Sequence, residues 1–311
     1  MSNIIVISGP TCVGKSSLSV ELAKKINAEI VSVDVYQSYK DMNIGTAKVT
    51  LEEMQGVKHY MIDEYSPSEN IDVARFVIDA QNYIKQIFKK GKNVVLVGGS
   101  GLYIDSIIYD SYEFIPNADT KDYTNELYDL LEKKGKEYIF ELLVRLDPEY
   151  ATKTHMNNIK RVIGAINYYY VNNKRKSEVS NRALKSSRYE NVSYYTLKMD
   201  RDVLYKRINK RVDIMFEAGL LNEVRGVAKK YNVDQKYNSM QAIGYKEVLD
   251  MDLGVMTKSE CCELIKKKSR NYAKRQLTWF RSNNDVVWIE VDKNSTDEII
   301  DRICEQINED Q

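Results

Sequence analysis

The segment from Gly9 to Ser16 has the residue types and spacing of a loop that binds phosphate groups. It reads Gly-Pro-Thr-Cys-Val-Gly-Lys-Ser and fits the pattern G-x4-G-K-S. Its glycines let the backbone curl so that several N–H groups point at one anion, and the next helix adds its positive dipole end. Lys15 supplies a charge for the terminal phosphates, and the Ser16 hydroxyl can bind Mg²⁺. This P-loop pattern predicts a di- or triphosphate ligand without saying which one.

The acid that should accompany such a loop stands in an unusual place. A nucleotide-hydrolysing P-loop protein usually has a second strand that ends in an acid for Mg²⁺. The candidate strand here, Asn93 to Val97, ends in Gly98-Gly99, and the acid at a strand end is Asp34, after Val31-Ser-Val. The pattern therefore favours chemistry other than ordinary ATP hydrolysis.

Asp34 is the strongest candidate for a general base, because other proton acceptors are scarce. His59 and His155 are the only histidines, which makes a Ser-His-Asp triad or a multi-histidine metal site improbable. The four cysteines contain no C-x2-C pair, so we expect no structural zinc and read them as packing residues in a reducing compartment. Gln37, close behind Asp34, has an amide that can read a base edge.

The net charge of +1 hides a strong asymmetry along the chain. Residues 1–152 carry a net charge of −7, residues 153–281 carry +15, and residues 282–311 carry −7. The stretch from Ile265 to Arg281 has seven cations and no acid, with Tyr272, Trp279 and Phe280 interleaved. Cations for phosphates and flat rings for unstacked bases predict an RNA partner that presents a single-stranded loop.

The order of predicted elements indicates an α/β fold: a P-loop parallel-sheet core with a helical insertion domain. Strands are predicted at residues 3–8, 29–33, 93–97, 192–199 and 286–291, and helices at residues 17–26 and 72–90 and from about residues 201, 239 and 258. Residues 116–190 show helical patterns only. We therefore predict a core of residues 1–113 and 191–311, interrupted by an insertion of residues 114–190.

Length and hydropathy set the remaining expectations. The 311 residues allow one large domain or two modest ones. The chain has no apolar run of the roughly 18 residues that a membrane helix needs, and its start lacks the pattern of a signal peptide. We therefore expect a cytoplasmic protein with no membrane partner, acting as a monomer.

These segments together resemble the tRNA dimethylallyltransferase (tRNA isopentenyltransferase) family of bacterial type. The similar motifs occur in order over nearly the whole chain, and the last three are long and specific. They are Gly9-Pro-Thr-x-x-Gly-Lys-Ser16, Asp34-x-x-Gln37, Met42-Asn-Ile-Gly-Thr-Ala-Lys48, Val97-Gly-Gly-Ser-Gly-Leu-Tyr103, Leu146-Asp-Pro148, Arg207-Ile-x-x-Arg-Val-Asp213-x-Met215, Ile243-Gly-Tyr-Lys-Glu247 and Tyr272-Ala-Lys-Arg-Gln-Leu-Thr-Trp-Phe-Arg281.

The resemblance implies a reaction, its cofactor and its partner. The family transfers a dimethylallyl group from dimethylallyl diphosphate to N6 of the adenosine just 3′ of the anticodon, with Mg²⁺ and without ATP hydrolysis. The tRNA anticodon stem-loop is the partner, and the base is flipped out. The P-loop would then hold the diphosphate leaving group, which explains its unusual acid.

The resemblance also assigns residues. It implies Asp34 as general base and Thr11 as a catalytic hydroxyl, with Ser16 holding Mg²⁺. The implied diphosphate site comprises Gly9, Pro10, Thr11, Cys12, Val13, Gly14, Lys15 and Ser16, together with Arg207 or Arg211, of which Arg207 is favoured. The implied tRNA contacts are Asp34, Val35, Tyr36, Gln37, Ser100, Asn158, Lys160, Arg161, Gly244, Lys246, Lys274, Arg275, Gln276 and Trp279.

Several positions depart from the family's usual pattern. Val35 replaces a serine, Lys58-His-Tyr60 replaces Pro-His-His, and in the insertion Gly164 and Asn167 replace an arginine and a glutamate. These changes leave the tRNA specificity open. Alternatives are prenylation of free adenine nucleotides, a small-molecule kinase, and an RNA-binding copy without catalysis. The basic block at residues 153–281 disfavours prenylation of free nucleotides, because a mononucleotide needs no such surface. The missing acid after Val97 disfavours a kinase. The presence of Thr11, Lys15, Ser16 and Asp34 disfavours a copy without catalysis.

Overall fold

The structure, a computed structural model, describes residues 2–110, 123–179 and 186–309. The chain divides into two compact units: a core unit, Met1–Ile107 with Tyr189–Gln311, and a second unit, Ile108–Arg188. The predicted boundary at residues 113/114 lies outside the described residues. The other predicted boundary, at residues 190/191, lies close to Arg188, where the second unit ends.

The core unit is built on one sheet of six parallel strands, which confirms the predicted α/β class. Its strand order is β3-β2-β4-β1-β5-β6, with every neighbouring pair parallel. The bounds are β1 Ile4–Ser8, β2 Ala28–Ser32, β3 His59–Tyr60, β4 Asn93–Gly98, β5 Val192–Lys198 and β6 Val287–Glu290.

The strand β1 lies at the centre of the sheet because four of its five side chains are apolar and the Ser8 hydroxyl has a partner in Thr196 at 2.6 Å. All five of its residues are buried between β4 and β5, as expected of an apolar strand covered on both faces. The chain leaves β1 toward β2 but leaves β4 toward β5, in opposite directions across the sheet. A crevice therefore forms at the carboxyl ends of β1 and β4, which is where ligands bind in open α/β sheets.

Helices flank the sheet in the core unit, and the described ones differ from prediction mainly near the C-terminus. Their bounds are α1 Lys15–Lys25, α2 Leu51–Met54, α3 Val73–Lys89, α4 Gly101–Ile108, α9 Arg201–Glu217, α10 Leu220–Tyr231, α11 Tyr245–Asp252, α12 Lys258–Arg281 and α13 Thr296–Glu309. The prediction missed α13, whose buried isoleucines share a core cluster with Leu18 and Leu22 of α1.

The helix predicted from about Ser239 is wrong in its starting point. Residues Ser239–Gln241 form only a 3-10 turn, and α11 begins at Tyr245. Gly244 lies between them with a φ of 102°. That value is easy for glycine and ends helical propagation, so two short elements replace one helix.

The second unit consists of helices in its described part, in agreement with the helical pattern of the sequence. The helices are α5 Thr124–Leu146, α6 Pro148–Thr152, α7 Ile159–Asn172 and α8 Lys176–Val179. Helix α5 breaks at Gly135, where φ is 83°. The unit has its own core, in which Leu127, Leu143 and Ile166 are buried.

The helices carry no sign of a membrane segment. In the part of the chain that the structure describes, none is both long enough and apolar enough to cross a bilayer.

Candidate active site

The loop after β1 is shaped by three residues with positive φ. Gly9, Cys12 and Gly14 have φ values of 140°, 66° and 100°. A Cβ on Gly9 would lie 2.7 Å from the carbonyl oxygen of Leu197, so only glycine fits there. Helix α1 begins directly after Gly14, at Lys15. The tight loop thus runs into a helix N-terminus, an arrangement that favours an anion.

Lys15 lies inside this loop and is bound by its backbone. Its Nζ donates to the carbonyl oxygens of Gly9 (3.0 Å) and Pro10 (2.7 Å). Burial lowers the pKa of Lys15 to about 8, although the Asp34 carboxylate nearby opposes the shift. Burial therefore makes the ammonium less stable than it would be in water, and an anionic ligand would stabilise it.

Asp34 stands two residues after β2, at the same edge of the sheet. One carboxylate oxygen accepts a hydrogen bond from the backbone N–H of Tyr36 at 3.1 Å. Burial raises the pKa of Asp34, while the Tyr36 amide and the charges of Lys15 and Arg211 act in the opposite direction. A partly desolvated carboxylate with a raised pKa is a stronger proton acceptor than an exposed one.

Two cavities meet at Asp34. The first has a volume of about 370 Å³ and is polar: it is lined by the loop from Thr11 to Ser17 and by Gln37, Arg207 and Gln276. The second has a volume of about 270 Å³ and a mostly apolar wall that includes Ile208, Val212, Met215, Ile243 and Ile265. Five residues line both cavities, namely Thr11, Cys12, Asp34, Arg211 and Tyr272.

Both candidate arginines line the polar cavity. Arg211 also reaches the loop itself: its Nη1 donates to the Thr11 hydroxyl at 3.0 Å, and its Nη2 donates to the Thr46 carbonyl at 3.3 Å. The sequence favoured Arg207, whereas in the structure Arg211 is the one that contacts Thr11.

Helix α12 contributes buried and exposed residues to the site. Lys274 and Arg275 are exposed, and the Arg275 guanidinium lies 5.7 Å from the centre of the Tyr272 ring. Gln276 is 5% exposed; its amide accepts from the Thr11 N–H and donates to the Gly99 carbonyl. Both ends of this amide are engaged within the protein, and the RNA contact predicted for Gln276 stays a prediction.

The aromatic residues of α12 are less available than their sequence suggested. Phe280 is fully buried, so its predicted role in stacking on a base is wrong. The Trp279 indole is half-buried against Gly101 and donates to the buried carboxylate of Asp105 at 3.1 Å. Tyr272 alone of the three rings lines the cavities.

The other predicted tRNA contacts differ in their position relative to the cavities and in their burial. Tyr36 and Gln37 line one cavity each, and the Gln37 amide donates to the carbonyls of Thr46 and Ala47. Ser100 lies 3.5 Å from the Tyr272 hydroxyl. Val35 and Lys246 are half-buried, Gly244 is buried, and Asn158, Lys160 and Arg161 are exposed at the start of α7 in the second unit.

Sequence reasoning missed Glu223, which holds the wall formed by residues 43–46. Its carboxylate accepts from the backbone N–H groups of Asn43, Ile44 and Gly45 at 2.7–2.9 Å, and from the Tyr245 hydroxyl at 2.5 Å. No spacing pattern announces such a residue, because its partners are backbone groups some 180 positions away in sequence.

The chain is similar to proteins of one family throughout. The family model described as IPP transferase matches residues 37–283. A tRNA dimethylallyltransferase of Acetivibrio thermocellus is 44% identical over 300 residues, covering 96% of this chain and 95% of the relative. One from Bacillus anthracis is 44% identical over 298 residues, covering 96% and 94%.

Solved structures agree with these relatives. A tRNA isopentenylpyrophosphate transferase of Staphylococcus epidermidis is 41% identical, covers 100% of both chains and has a TM-score of 0.73. A eukaryotic dimethylallyltransferase acting on tRNA is 29% identical, with a TM-score of 0.83 over 96% of this chain and 78% of the other. Matches of this identity and coverage confirm the resemblance read from the motifs: this chain belongs to the tRNA dimethylallyltransferase family.

Proposed function

We propose that the chain transfers a dimethylallyl group from dimethylallyl diphosphate to N6 of the adenosine 3′-adjacent to the anticodon in tRNA, releasing diphosphate. The observation that carries the proposal is the position of Asp34 where the polar cavity meets the second cavity. The diphosphate would occupy the polar cavity, and the flipped adenine would enter through the other.

In the proposed step, the N6 lone pair attacks the allylic carbon that bears the diphosphate. The bond from that carbon to oxygen breaks, and its electron pair leaves with the diphosphate. The N6 proton passes to the Asp34 carboxylate. Thr11, Lys15 and Arg211 would stabilise the negative charge that accumulates on the departing oxygens, because all three already face the polar cavity.

A magnesium ion fits the donor set of this cavity. Among the described residues, no group of three or more His, Cys, Asp or Glu side chains is arranged to hold a metal. Mg²⁺ commonly binds through one or two protein oxygens plus substrate phosphates and water. The Ser16 hydroxyl and the diphosphate oxygens would hold the ion, whose charge would offset that of the leaving group when bound.

The exposed cations support a tRNA partner. Lys160 and Arg161 in the second unit and Lys274 and Arg275 in the core unit present their side chains to solvent. A mononucleotide needs no such surface, whereas an anticodon stem-loop offers many phosphates. We further propose that the second unit is an insertion that contacts tRNA and that the protein acts as a cytoplasmic monomer.

The test is a labelling experiment. The protein is incubated with radiolabelled dimethylallyl diphosphate, Mg²⁺ and either total tRNA or AMP, and the products are digested to nucleosides. The proposal expects label in a modified adenosine from tRNA only. Label in AMP alone would support nucleotide prenylation, and the absence of label from both would favour an RNA-binding copy without catalysis.

A further inference from the structure

Gln276 joins the two loops that frame the polar cavity. Its Oε1 accepts a hydrogen bond from the Thr11 N–H at 2.9 Å, in the loop after β1. Its Nε2 donates to the Gly99 carbonyl at 2.9 Å, in the loop after β4. These two loops stand side by side at the carboxyl edge of the sheet, because β1 and β4 are neighbouring parallel strands.

The fit around this amide is tight. Gln276 is 5% exposed, and a Cβ on Gly99 would lie only 2.0 Å from its Nε2. A buried amide satisfied at both ends is held in one orientation, since reversing it would set donor against donor and acceptor against acceptor. Gln276 therefore fixes the distance and angle between the two loops.

Thr11 is thereby held from two sides. Gln276 holds its backbone N–H, and Arg211 holds its hydroxyl at 3.0 Å. Gln276 also lines the polar cavity together with Lys15 and Asp34. A displaced Thr11 would misalign a group that faces the leaving oxygen, and small displacements at such a point carry large kinetic costs.

We propose that Gln276 is a positioning residue for the diphosphate rather than a reader of RNA. It presets the Thr11 and Gly99 loops so that the polar cavity matches the diphosphate before substrate arrives. It does so from α12, whose exposed neighbours Lys274 and Arg275 are the proposed RNA contacts. The inference rests on the proposed function, because it assumes that the polar cavity receives a diphosphate.

Two substitutions separate the functions of the amide. Gln276→Met keeps the length of the side chain but removes both hydrogen bonds. Gln276→Glu can still accept from the Thr11 N–H, but it sets a carboxylate oxygen against the Gly99 carbonyl and adds negative charge beside the diphosphate. Gln81 offers a matched control: its half-buried amide donates to the Ile107 carbonyl at 3.3 Å, away from both cavities.

The experiment measures affinity for inorganic pyrophosphate with Mg²⁺ by calorimetry, and KM for dimethylallyl diphosphate and for tRNA separately. We expect Gln276→Met to weaken pyrophosphate binding and raise KM for dimethylallyl diphosphate about tenfold, and Gln276→Glu to do so more strongly. KM for tRNA should stay within about twofold of wild type. Gln81→Met should change neither. Hydrogen exchange at the Thr11 amide should accelerate in Gln276→Met.

Two results would overturn the inference. One is a raised KM for tRNA with unchanged pyrophosphate affinity, which would return Gln276 to RNA binding. The other is a lowered melting temperature with unchanged pyrophosphate affinity, which would leave it a packing role only. If the wild type binds pyrophosphate but transfers no dimethylallyl group to tRNA, the proposed function fails, while the affinity comparison still decides the role of Gln276.

Discussion

The chemistry of the site depends on two side chains of the polar cavity, Asp34 and Lys15, whose pKa values are shifted in opposite directions. Burial raises the pKa of Asp34 and lowers that of Lys15, and each charge partly offsets the shift of the other. A diphosphate in the polar cavity would stabilise the Lys15 cation. Its negative charge would also raise the pKa of Asp34 further, which makes the Asp34 carboxylate a stronger base for the N6 proton.

The substitution Asp34→Asn tests the general base. We expect kcat to fall by a factor on the order of 10² to 10⁴, the usual contribution of general base catalysis. Pyrophosphate affinity should persist or improve, because a negative charge has left the cavity. Single-turnover transfer and calorimetry measure the two quantities separately. Near-normal turnover in this variant would show that another group accepts the proton.

The rate should also report the titration of Lys15. Its pKa of about 8 means that the free protein loses this cation as pH rises through 8. We therefore expect kcat/KM for dimethylallyl diphosphate to fall on the alkaline side of pH 8. An acidic limb should mark the protonation of Asp34, above the ordinary range of an aspartate because its pKa is raised. A pH series from 4 to 10 follows both limbs.

The substitution Lys15→Arg is the control for this pH profile, because a guanidinium stays charged throughout the range. The alkaline limb should move out of the measured range even if the absolute rate is lower. An unchanged alkaline limb in Lys15→Arg would mean that a different group titrates near pH 8.

At the level of elements, the sequence predicts well what local pattern determines. The described strands β1, β2, β4, β5 and β6 lie within two residues of their predicted bounds, because β-branched and aromatic residues are frequent in them. β3 and α2 were missed because two and four residues carry no period. For α13 a signal existed: Ser295 and Glu298 form reciprocal hydrogen bonds ahead of an isoleucine pattern.

In the site, too, the residues set by local sequence pattern could be predicted, and those set by the fold could not. The P-loop pattern and Asp34 were predictable, because a strand end and a motif place them at the sheet edge. The roles of Gln276 and Glu223 were not, since their partners are backbone groups brought close only by the fold. Burial also corrected the sequence at Phe280, where the aromatic residue type suggested stacking on an RNA base.

Glu223 supports a prediction about the wall formed by residues 43–46. Glu223→Gln would turn an NH₂ group toward backbone N–H donors, which leaves the half-buried donors of Ile44 and Gly45 unsatisfied. We expect KM for tRNA to change severalfold because Gly45 and Thr46 of this wall line the second cavity, and kcat to change because the Thr46 carbonyl holds Arg211. Tyr245→Phe removes only one of the four donors to this carboxylate and should have a smaller effect. Equal kinetics for Glu223→Gln and wild type would exclude a role for this wall in the reaction.

Glu29 lies near the amino end of β2, at the opposite end of the strands from the site, and its charge affects the stability of the fold. Burial alone would raise the pKa of Glu29, but hydrogen bonds from Lys90, Lys92 and Tyr60 outweigh it and hold the pKa at about 2. This carboxylate therefore stabilises the fold above its unfolded-state pKa, and the stabilisation is lost as pH falls from about 4 toward 2.

The substitution Glu29→Gln should accordingly lower the free energy of unfolding at pH 7. We expect a loss of about 2 kcal/mol, smaller than for a fully buried ion pair, because the two lysines are partly exposed and screened. Urea unfolding at pH 7 and pH 3 measures the difference. The gap between variant and wild type should narrow at pH 3. A gap that does not depend on pH would mean that packing, not charge, explains the loss.

For the whole molecule, the charge count overstates the surface available to RNA. Residues 153–281 hold 28 lysines and arginines, but Lys266 pairs with Asp213 and Glu263, and Lys268 pairs with the buried Glu247. The pairs with Asp213 and Glu247 join α12 to α9 and α11 within the core unit and are part of its packing. The cations that remain exposed on α12 and α7 are better candidates for phosphate contacts.

Salt dependence tests whether both units contact the tRNA. We prepare Lys160→Gln with Arg161→Gln in the second unit, and Lys274→Gln with Arg275→Gln in the core unit. Each double variant should raise KM for tRNA severalfold and leave KM for dimethylallyl diphosphate unchanged. The slope of log affinity against log salt should become shallower by about one for each phosphate that the variant no longer neutralises.

Lys85→Gln is the matched control, an exposed lysine in the acidic N-terminal block. It should alter neither the slope nor KM, because a lysine outside the RNA surface releases no counterions on binding. If the second-unit pair behaves like Lys85→Gln while the core pair weakens binding, then tRNA contacts the core unit alone through these groups. The second unit would then need a different role, because its cations would not contribute to affinity.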